Sequence, residues 1–201
     1  VMKKQDQDAQ KKCLEKLARA RTTRNLVNPD ETILQKQERI RLAKEDYNYM
    51  VRTYFPHITS KVDENGNDVQ VSCAPFQLEH ANRVRCNPVY KGYAQWFRGA
   101  AKSVHNDIFI PIWLWMNGVS RFFCVASDTF DRACDLLDDL RAEFEGNELL
   151  IHDFGEQRNP GYWERGNFVT TSGFIAKAFG ARMKTRGLRK GAVRPDLWVI
   201  D

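Results

Sequence analysis

The sequence lacks the long hydrophobic run that a membrane-spanning helix needs. Its longest apolar stretch, residues 108–116, contains a proline and is far shorter than the roughly 18 apolar residues of a spanning helix. The N-terminus has no basic patch followed by an apolar segment, so no secretory signal is visible. The 201 residues are too few for two full-sized domains, but their 42% hydrophobic content can build a core. We therefore expect one soluble, intracellular domain, with or without an appended arm.

Cysteine is scarce, and its spacing is uninformative. The five cysteines, an odd number, include no Cys-x-x-Cys pair, which argues against a disulfide framework and against a zinc ribbon. Cys73, His80 and Cys86 form the only Cys/His grouping, and their spacing matches no common structural zinc pattern. We expect free thiols.

Charge is unevenly distributed along the chain. The net charge of +5 comes from residues 1–52, which hold thirteen Lys/Arg and eight Asp/Glu, whereas the other 149 residues hold eighteen of each sign. Residues 128–156 contain ten acids and two bases, and residues 177–194 contain seven bases and no acid. This segregation favours an anionic partner for the basic segment, either nucleic acid or a nucleotide phosphate. The alternative is that the basic segment pairs with the acidic helix of the same molecule.

The residues before position 74 predict helices. Lys3 to Arg24, within a basic segment 1–27, indicates a weakly amphipathic helix or a mobile arm. A long amphipathic helix is predicted from Asn28, its N-cap, to Tyr54, as part of a helical subdomain and loop over residues 28–73. Asn65-Gly66 predicts a small hairpin or surface loop.

From residue 74 onward short strands and helices alternate, which is typical of a parallel α/β sheet. We expect three strands to lie parallel between layers of helices: Tyr90–Phe97, Arg121–Ala126 and Leu197–Ile200. Three helices and one hairpin complete the prediction: helices over 75–84 and 103–116, a third begun by Ser127 or Asp128 and ending at Gly146, and a hairpin over 166–180 that turns at Ser172-Gly173.

A candidate phosphate loop lies between the first predicted strand and the helix after it, at residues 98–103. On the pattern G-x-x-x-x-G-K-[ST], Trp96 and Ala101 stand at the glycine positions, whereas Lys102 and Ser103 match. Such a loop offers backbone N–H groups and a helix dipole to a phosphate, while the lysine reaches the β and γ phosphates and the hydroxyl binds Mg²⁺. We expect Ala101 to adopt ordinary helical dihedrals.

The last predicted strand supports the same site, because it ends in Asp201. In phosphate-loop ATPases, a strand beside the loop strand ends in an acid that holds Mg²⁺ through water. Two separate segments therefore indicate one nucleotide site.

From about Ile40 to Asp201, the sequence resembles the large subunit of the DNA-packaging terminase of tailed bacteriophages and prophages. Three ordered segments carry the resemblance. They are the Trp-Phe-Arg-Gly-Ala-Ala-Lys-Ser loop at 96–103, the Val-Ala-Ser-Asp-Thr, Glu-Gly-Asn-Glu-Leu and Asp-Phe-Gly pieces within 125–155, and the Arg-Gly-Leu-Arg and Arg-Pro-Asp-Leu-Trp-Val-Ile-Asp pieces within 186–201. The first segment is similar to the family's glycine-poor Walker A loop. The last is similar to the residues that lead into the family's Walker B aspartate.

The resemblance implies a P-loop NTPase fold of the RecA/terminase type, incomplete here, with its partial core at 74–201. It implies ATP and Mg²⁺ as cofactors and assigns a role to each matching residue. Lys102 would contact the β and γ phosphates, and Ser103 and Asp201 would hold Mg²⁺. Arg98 would act in cis on the γ-phosphate, as a catalytic residue beside Asp201. The remaining assignments are Gln77 for reading adenine, with Gly99, Ala100 and Ala101 for the phosphate cradle.

The implied activity is that of a motor that drives double-stranded DNA into a capsid in the cytoplasm of a bacterial host. Its implied partners are double-stranded DNA, further copies of the large subunit, the small terminase subunit and the portal. The family's catalytic acid, coupling motif and nuclease domain would follow Asp201, where this sequence ends. A fragment and an interrupted gene both fit that ending. We expect the chain alone to bind Mg-ATP weakly and to hydrolyse it at near-background rates.

Two other functions fit the sequence. The first is a nucleic-acid-binding or assembly module without turnover, in which the arm and the basic loop contact phosphates or a partner subunit. The loop residues concerned are Arg186, Arg189, Lys190 and Arg194. The second is a fragment of another small phosphate-loop kinase or helicase.

Overall fold

The computed structural model describes residues 4–201 and the side chains from residue 7 onward, so residues 1–3 of the predicted arm lie outside it. The helices are α1 (Lys4–Arg21), α2 (Ile33–Glu45), α3 (Tyr47–Tyr54), α4 (Pro56–Thr59), α5 (Pro75–Cys86), α6 (Lys102–Val104), α7 (Ile110–Met116), α8 (Phe130–Gly146) and α9 (Glu148–Phe154). A 3₁₀ turn, Thr22–Leu26, follows α1, and a π-helical turn, His105–Phe109, joins α6 to α7. None of the helices between residues 4 and 201 has the length and apolar character needed to cross a membrane.

The strands form a two-stranded hairpin and a mixed five-stranded sheet. The hairpin pairs β1 (Ser60–Val62) with β2 (Asp68–Gln70), as Asn65-Gly66 predicts. The sheet contains β3 (Phe122–Ser127), β4 (Trp163–Glu164), β5 (Asn167–Val169), β6 (Ile175–Gly180) and β7 (Leu197–Ile200), in the order β4-β5-β6-β3-β7. Strands β6, β3 and β7 run parallel, whereas β4 and β5 are antiparallel. The α/β class, the strands at β3 and β7 and the β5–β6 hairpin are therefore confirmed.

Asp196, just before β7, is hydrogen-bonded to the residues at the start of β3. Its carboxylate accepts hydrogen bonds from the hydroxyl of Ser120 at 2.6 Å and from the N–H of Arg121 at 2.8 Å. The N–H of Phe122 points at the same carboxylate, 3.2 Å from Oδ1. The acid of the Arg-Pro-Asp segment thus has a structural role, because it satisfies backbone donors where the two parallel strands begin.

The prediction of a strand at Tyr90–Phe97 is wrong. These residues form an irregular segment in which Tyr93 and Phe97 are largely exposed. Trp96 packs instead on the rings of Phe76 and His80, with ring centroids 5.1 and 5.4 Å away. A strand needs a neighbour to receive its backbone hydrogen bonds, and a periodic sequence cannot supply that neighbour. Within residues 4–201, the outer edge of β7 has no partner strand.

The predicted helical layers on both sides of the sheet are also wrong. One face, including Phe123 and Val125, joins the main core under α8 and α7. The other face, which includes Phe122 and Cys124, is covered by the β6–β7 connection, residues 181–196, through Leu188 and Val193. This connection contains no helix, so the described chain has helices on one face of the sheet only.

Two predicted helix boundaries differ from the structure. The long helix begins at Ile33, where Thr32 and Gln35 form a capping box, rather than at Asn28. It breaks at Asp46, whose extended backbone ends α2 and whose side chain accepts the Tyr49 N–H to cap α3. A local side-chain cap therefore competes with helix continuation.

The helix α8 is capped by Thr129, not by Ser127 or Asp128. The Thr129 hydroxyl accepts a hydrogen bond from the backbone N–H of Arg132 at 3.2 Å. Asp128 instead accepts the N–H of Thr129 at 2.8 Å, which leaves its side chain one residue too early to cap the helix.

The helices α2 and α3 pack into the same core as the sheet. Tyr47, Met50, Val51 and Tyr54 of α3 are buried in the main core, where the Tyr47 ring meets that of Trp113 in α7 at 5.0 Å. Arg39 of α2 forms ion pairs with Glu31 and with Asp153 of α9, and the Asp153 side chain is fully buried. These contacts hold the N-terminal helices firmly against the sheet domain.

Candidate functional site

The candidate loop lies at the carboxyl edge of the parallel strands. Residues 96–104 line an open cavity of about 400 Å³, with Lys102 and Ser103 beginning α6. Ala100 is buried and anchors the loop, whereas Arg98 and Gly99 are exposed. The carboxyl edge of parallel strands is where ligands bind in open α/β sheets.

The loop backbone is left-handed at two positions. Gly99 has φ +89°, and Ala101 has φ 57° and ψ 32°, so the prediction of helical dihedrals for Ala101 is wrong. Alanine in this region costs about 1–2 kcal/mol because its Cβ crowds the following carbonyl. Ala101 stands at the second glycine position of the pattern, and the chain needs there the conformation that glycine adopts freely. The carbonyl of Ala101 already accepts the first helical hydrogen bond, from the His105 N–H at 3.0 Å.

The two ends of the sequence motif meet in space. The Lys102 ammonium lies 3.4 Å from Asp201 Oδ1, although the residues are almost 100 positions apart. The Asp201 N–H donates to the carbonyl of Ala126 at 2.9 Å, which extends the β7 ladder by one residue and aims the side chain at the loop. The predicted lysine and aspartate therefore form one site.

A second cation contacts the same carboxylate. Arg132, in the first turn of α8, places Nη2 3.3 Å from Asp201 Oδ2. The Asp201 side chain is 16% exposed, whereas those of Lys102 and Arg132 are 42% and 59% exposed. Each carboxylate oxygen thus faces one cation that remains accessible to solvent.

Gln77 lies at the loop, but its carboxamide contacts backbone groups. Oε1 accepts the Ala74 N–H at 2.7 Å, and Nε2 donates to the Ala100 carbonyl at 2.9 Å. The side chain therefore ties the first turn of α5 to the loop. Adenine reading by Gln77 stays a prediction, and the second hydrogen of Nε2 and the second lone pair of Oε1 remain for it.

The residues present fit a magnesium ion. Mg²⁺ takes one or two protein oxygens and completes its shell with water and phosphate. Ser103 makes no side-chain hydrogen bond to any residue of the described chain, and the Asp201 carboxylate lies at the same loop through its contact with Lys102. The cluster Glu31, His152 and Asp153, in contrast, already surrounds the Arg39 guanidinium and is an ion-pair network.

Asp107 is a buried acid beneath the loop that the sequence patterns did not single out. It lies in the π-helical turn after α6, is 3% exposed, and its Oδ1 has no hydrogen-bond partner among the described residues. Burial, together with the negative charges of Asp201 and Asp139, raises the pKa of Asp107 to about 7, and Lys102 opposes this shift. The available signal was a carboxylate on the apolar side of a helix, a placement rare without a functional or structural reason.

His105 lies in the same π-helical turn and packs beside Trp96. Its Nδ1 is 2.8 Å from the Tyr47 hydroxyl, and its ring meets that of Trp96 edge-on at 5.7 Å. Burial, with a smaller contribution from His80, lowers the pKa of His105 to about 4. The ring is therefore neutral at physiological pH, and it packs against Trp96 at the start of the loop.

The basic connection between β6 and β7 is exposed and free of ion pairs within residues 7–201. Arg186, Arg189, Lys190 and Arg194 all carry exposed side chains, and a second cavity of about 530 Å³ is lined by Arg189, Arg194 and Trp198. The acids of α8 pair elsewhere, Asp139 with Lys16 and three others with Arg165. The internal pairing considered as an alternative for this segment is therefore not formed among the described residues.

The structure brings together Arg98, Lys102, Ser103 and Asp201 with the backbone of residues 99–101, and it holds Gln77 against them. It adds Arg132 and Asp107, which sequence reasoning missed. The basic residues 186–194 form a separate cavity on the other face of the sheet. The chain matches no protein-family model, no curated protein and no solved structure.

Proposed function

We propose that this chain is the Mg-ATP-binding module of a genome-packaging ATPase, with a P-loop NTPase core of the terminase large-subunit type. The observation that carries the proposal is the 3.4 Å contact between Lys102 and Asp201, which joins the Walker A-like loop to the Walker B-like strand. An accidental Ala-Lys-Ser before a helix has no reason to meet an acid at the end of a parallel strand.

Each part of the site has a task in nucleotide binding. The loop N–H groups and the start of the helix favour the phosphate charge, and Lys102 leaves Asp201 to contact the β and γ phosphates. Ser103 and Asp201 would hold Mg²⁺, which neutralises charge on the phosphate oxygens. Arg98 lines the same cavity and contributes its guanidinium to the γ-phosphate side.

The wider activity rests on the sequence resemblance. In this proposal the module works in a motor that drives double-stranded DNA into a capsid, with further large subunits, the small subunit and the portal as partners. The family's water-orienting acid would follow Asp201. We therefore propose that residues 1–201 supply the Mg-ATP-binding part of the motor.

Nucleotide binding tests the proposal directly. A fluorescent ATP analogue is titrated with Mg²⁺ into the parent chain, into Lys102→Ala and into Lys61→Ala, whose lysine is exposed on the β1–β2 hairpin. The parent and Lys61→Ala should bind, and Lys102→Ala should lose binding while it remains folded, as a cooperative thermal transition would show. Equal affinity in the parent and in Lys102→Ala, or no binding by the parent, would refute the phosphate site.

A second candidate function is nucleic-acid binding without turnover through the basic connection. The observation in its favour is a set of exposed, unpaired bases beside the 39%-exposed indole of Trp198. Each phosphate contact gives about 0.9 in the slope of log affinity against log salt, so Arg189→Ala/Arg194→Ala should flatten that slope by about two. Lys44→Ala/Lys61→Ala removes the same charge elsewhere and should leave the slope unchanged. A parent that binds DNA at low salt without nucleotide, and that binds no ATP, would favour this function over the first.

A further inference from the structure

Arg132 is positioned at the candidate site by an element that the loop and strand motifs do not include. It lies in the first turn of α8, directly after β3, and its guanidinium faces the same carboxylate that Lys102 contacts. The loop, the end of β7 and the start of α8 therefore converge on Asp201.

The position of Arg132 runs against the local preference of a helix. Backbone N–H groups make the first turn of a helix positive, so an arginine there is disfavoured by about 0.3–1 kcal/mol, whereas an acid is favoured. The first turn of α8 also holds Asp131, but that side chain binds Arg165 and not Arg132. Departures from local preference concentrate at functional sites, where another requirement outweighs them.

Most of the hydrogen-bonding capacity of Arg132 is unused. A guanidinium has five N–H donors, and within residues 7–201 its side chain makes only the Nη2 contact with Asp201. The group is 59% exposed, so an incoming anion can reach it. Its planar donor fork suits two oxygens of one phosphate, which an ammonium group cannot match.

The charge of the site also favours an anion once Arg132 is included. Among the side chains that line or face the opening, three cations, Arg98, Lys102 and Arg132, stand against the carboxylate of Asp201, a balance of +2 before the buried Asp107 beneath the loop is counted. A Mg-bound nucleoside triphosphate is an anion, and binding it would relieve the repulsion among the three cations.

We propose that Arg132 contacts the phosphate tail of the nucleotide together with Lys102, which makes the start of α8 a third phosphate-binding element of the site. This inference rests on the proposed function. Arg132 keeps one donor on Asp201 and presents its free donors to the phosphate oxygens, so that nucleotide binding couples α8 to the loop.

The test compares Mg-ATP affinity in the parent, Arg132→Ala, Arg132→Lys and Arg121→Ala. Arg121 is an exposed arginine just before the first residue of β3, at the opposite end of that strand from Asp201, and it serves as the matched control. Deleting a charge-assisted hydrogen bond should weaken Mg-ATP binding by about tenfold to a hundredfold in Arg132→Ala. Arg132→Lys should lie in between, and Arg121→Ala should equal the parent. Inorganic tripolyphosphate, used as a competitor, should lose affinity for Arg132→Ala by the same factor, because the contact is to phosphate and not to the base.

The outcomes separate this inference from the proposed function. Parent-like or tighter Mg-ATP binding by Arg132→Ala, with binding lost in Lys102→Ala, overturns the role of Arg132 and leaves the nucleotide site standing. A parent that binds neither Mg-ATP nor tripolyphosphate overturns both. Thermal midpoints of Arg132→Ala and Arg132→Lys report whether each variant folds. If the alanine variant is unstable, Arg132→Lys still supplies a positive charge opposite Asp201 and tests the role of the guanidinium.

Discussion

Asp107→Asn should remove a pH dependence from the stability of the folded chain. Asp107 is buried, and one of its oxygens has no partner among the described side chains of residues 7–201. Its pKa is raised to about 7 from 3.8, the ordinary value that an unfolded chain retains. Between these two values the folded chain keeps a proton that the unfolded chain releases. The free energy of unfolding therefore falls as pH rises through this window, and the full loss is present above about pH 7.

The magnitude follows from the difference between the two pKa values. It corresponds to a loss of up to about 4 kcal/mol between about pH 4 and pH 7, a large part of the stability of a domain of this size. Asparagine has nearly the same shape and remains neutral. Asp107→Asn should therefore match the parent near pH 4 and exceed it in stability by a few kcal/mol near pH 8.

Urea denaturation of both proteins between about pH 4 and pH 8 measures this difference. Asp68→Asn, which removes the same charge from the exposed hairpin, is the control and should track the parent. Parallel pH profiles for the parent and Asp107→Asn would refute the reasoning, as would a less stable Asp107→Asn at pH 8.

The neighbouring charges supply a second check on the same carboxyl. Asp201 raises the pKa of Asp107 and Lys102 lowers it. The fall in stability should therefore occur at lower pH in Asp201→Asn and at higher pH in Lys102→Ala. Shifts in the same direction would contradict the arrangement of these three groups around the loop.

Three further changes probe the fold. Ala101→Gly should raise stability by about 0.5–1 kcal/mol in thermal denaturation, because the relief of left-handed strain exceeds the added entropy of the unfolded chain, and a loss of stability would contradict the left-handed loop. Asp196→Ala should cost about 2 kcal/mol, because the buried Ser120 hydroxyl loses its acceptor, while Asp196→Asn should recover part of that loss. Arg39→Ala should cost about 3 kcal/mol in urea denaturation, because the buried Asp153 carboxylate loses its guanidinium partner and keeps only the Tyr54 hydroxyl and the His152 ring, and a change under 1 kcal/mol would show that the cluster is hydrated.

Local sequence patterns predicted most of the regular elements, because their causes are local. The apolar periodicity of α8, the continuous apolar run of β3 and the Asn-Gly turn of the β1–β2 hairpin each depend on neighbours within a few residues. The loop with Lys102 and Ser103 was found for the same reason. Boundaries failed where side-chain caps compete, as at Asp46, since several capping residues stand close together in the sequence.

Interactions between distant residues were decided by the tertiary structure alone. Tyr90–Phe97 has a strand-like composition but no partner strand within the described chain, and the half-buried Trp96 packs on Phe76 of α5 instead. Ala101 is left-handed where the loop turns into α6, a conformation that alanine's own preference opposes and that local sequence therefore did not predict. Arg132 and Asp107 belong to no sequence motif, so only the structure shows that they lie near the loop.

The sequence by itself determined the types of most elements, the loop and the acid that follows β7, because periodicity and residue chemistry are properties of short segments. The parallel pairing of β3 with β7 decided that Lys102 and Asp201 meet, and the start of α8 beside that edge brought in Arg132. These contacts join residues 69 to 99 positions apart, and their geometry exists only after the sheet has assembled.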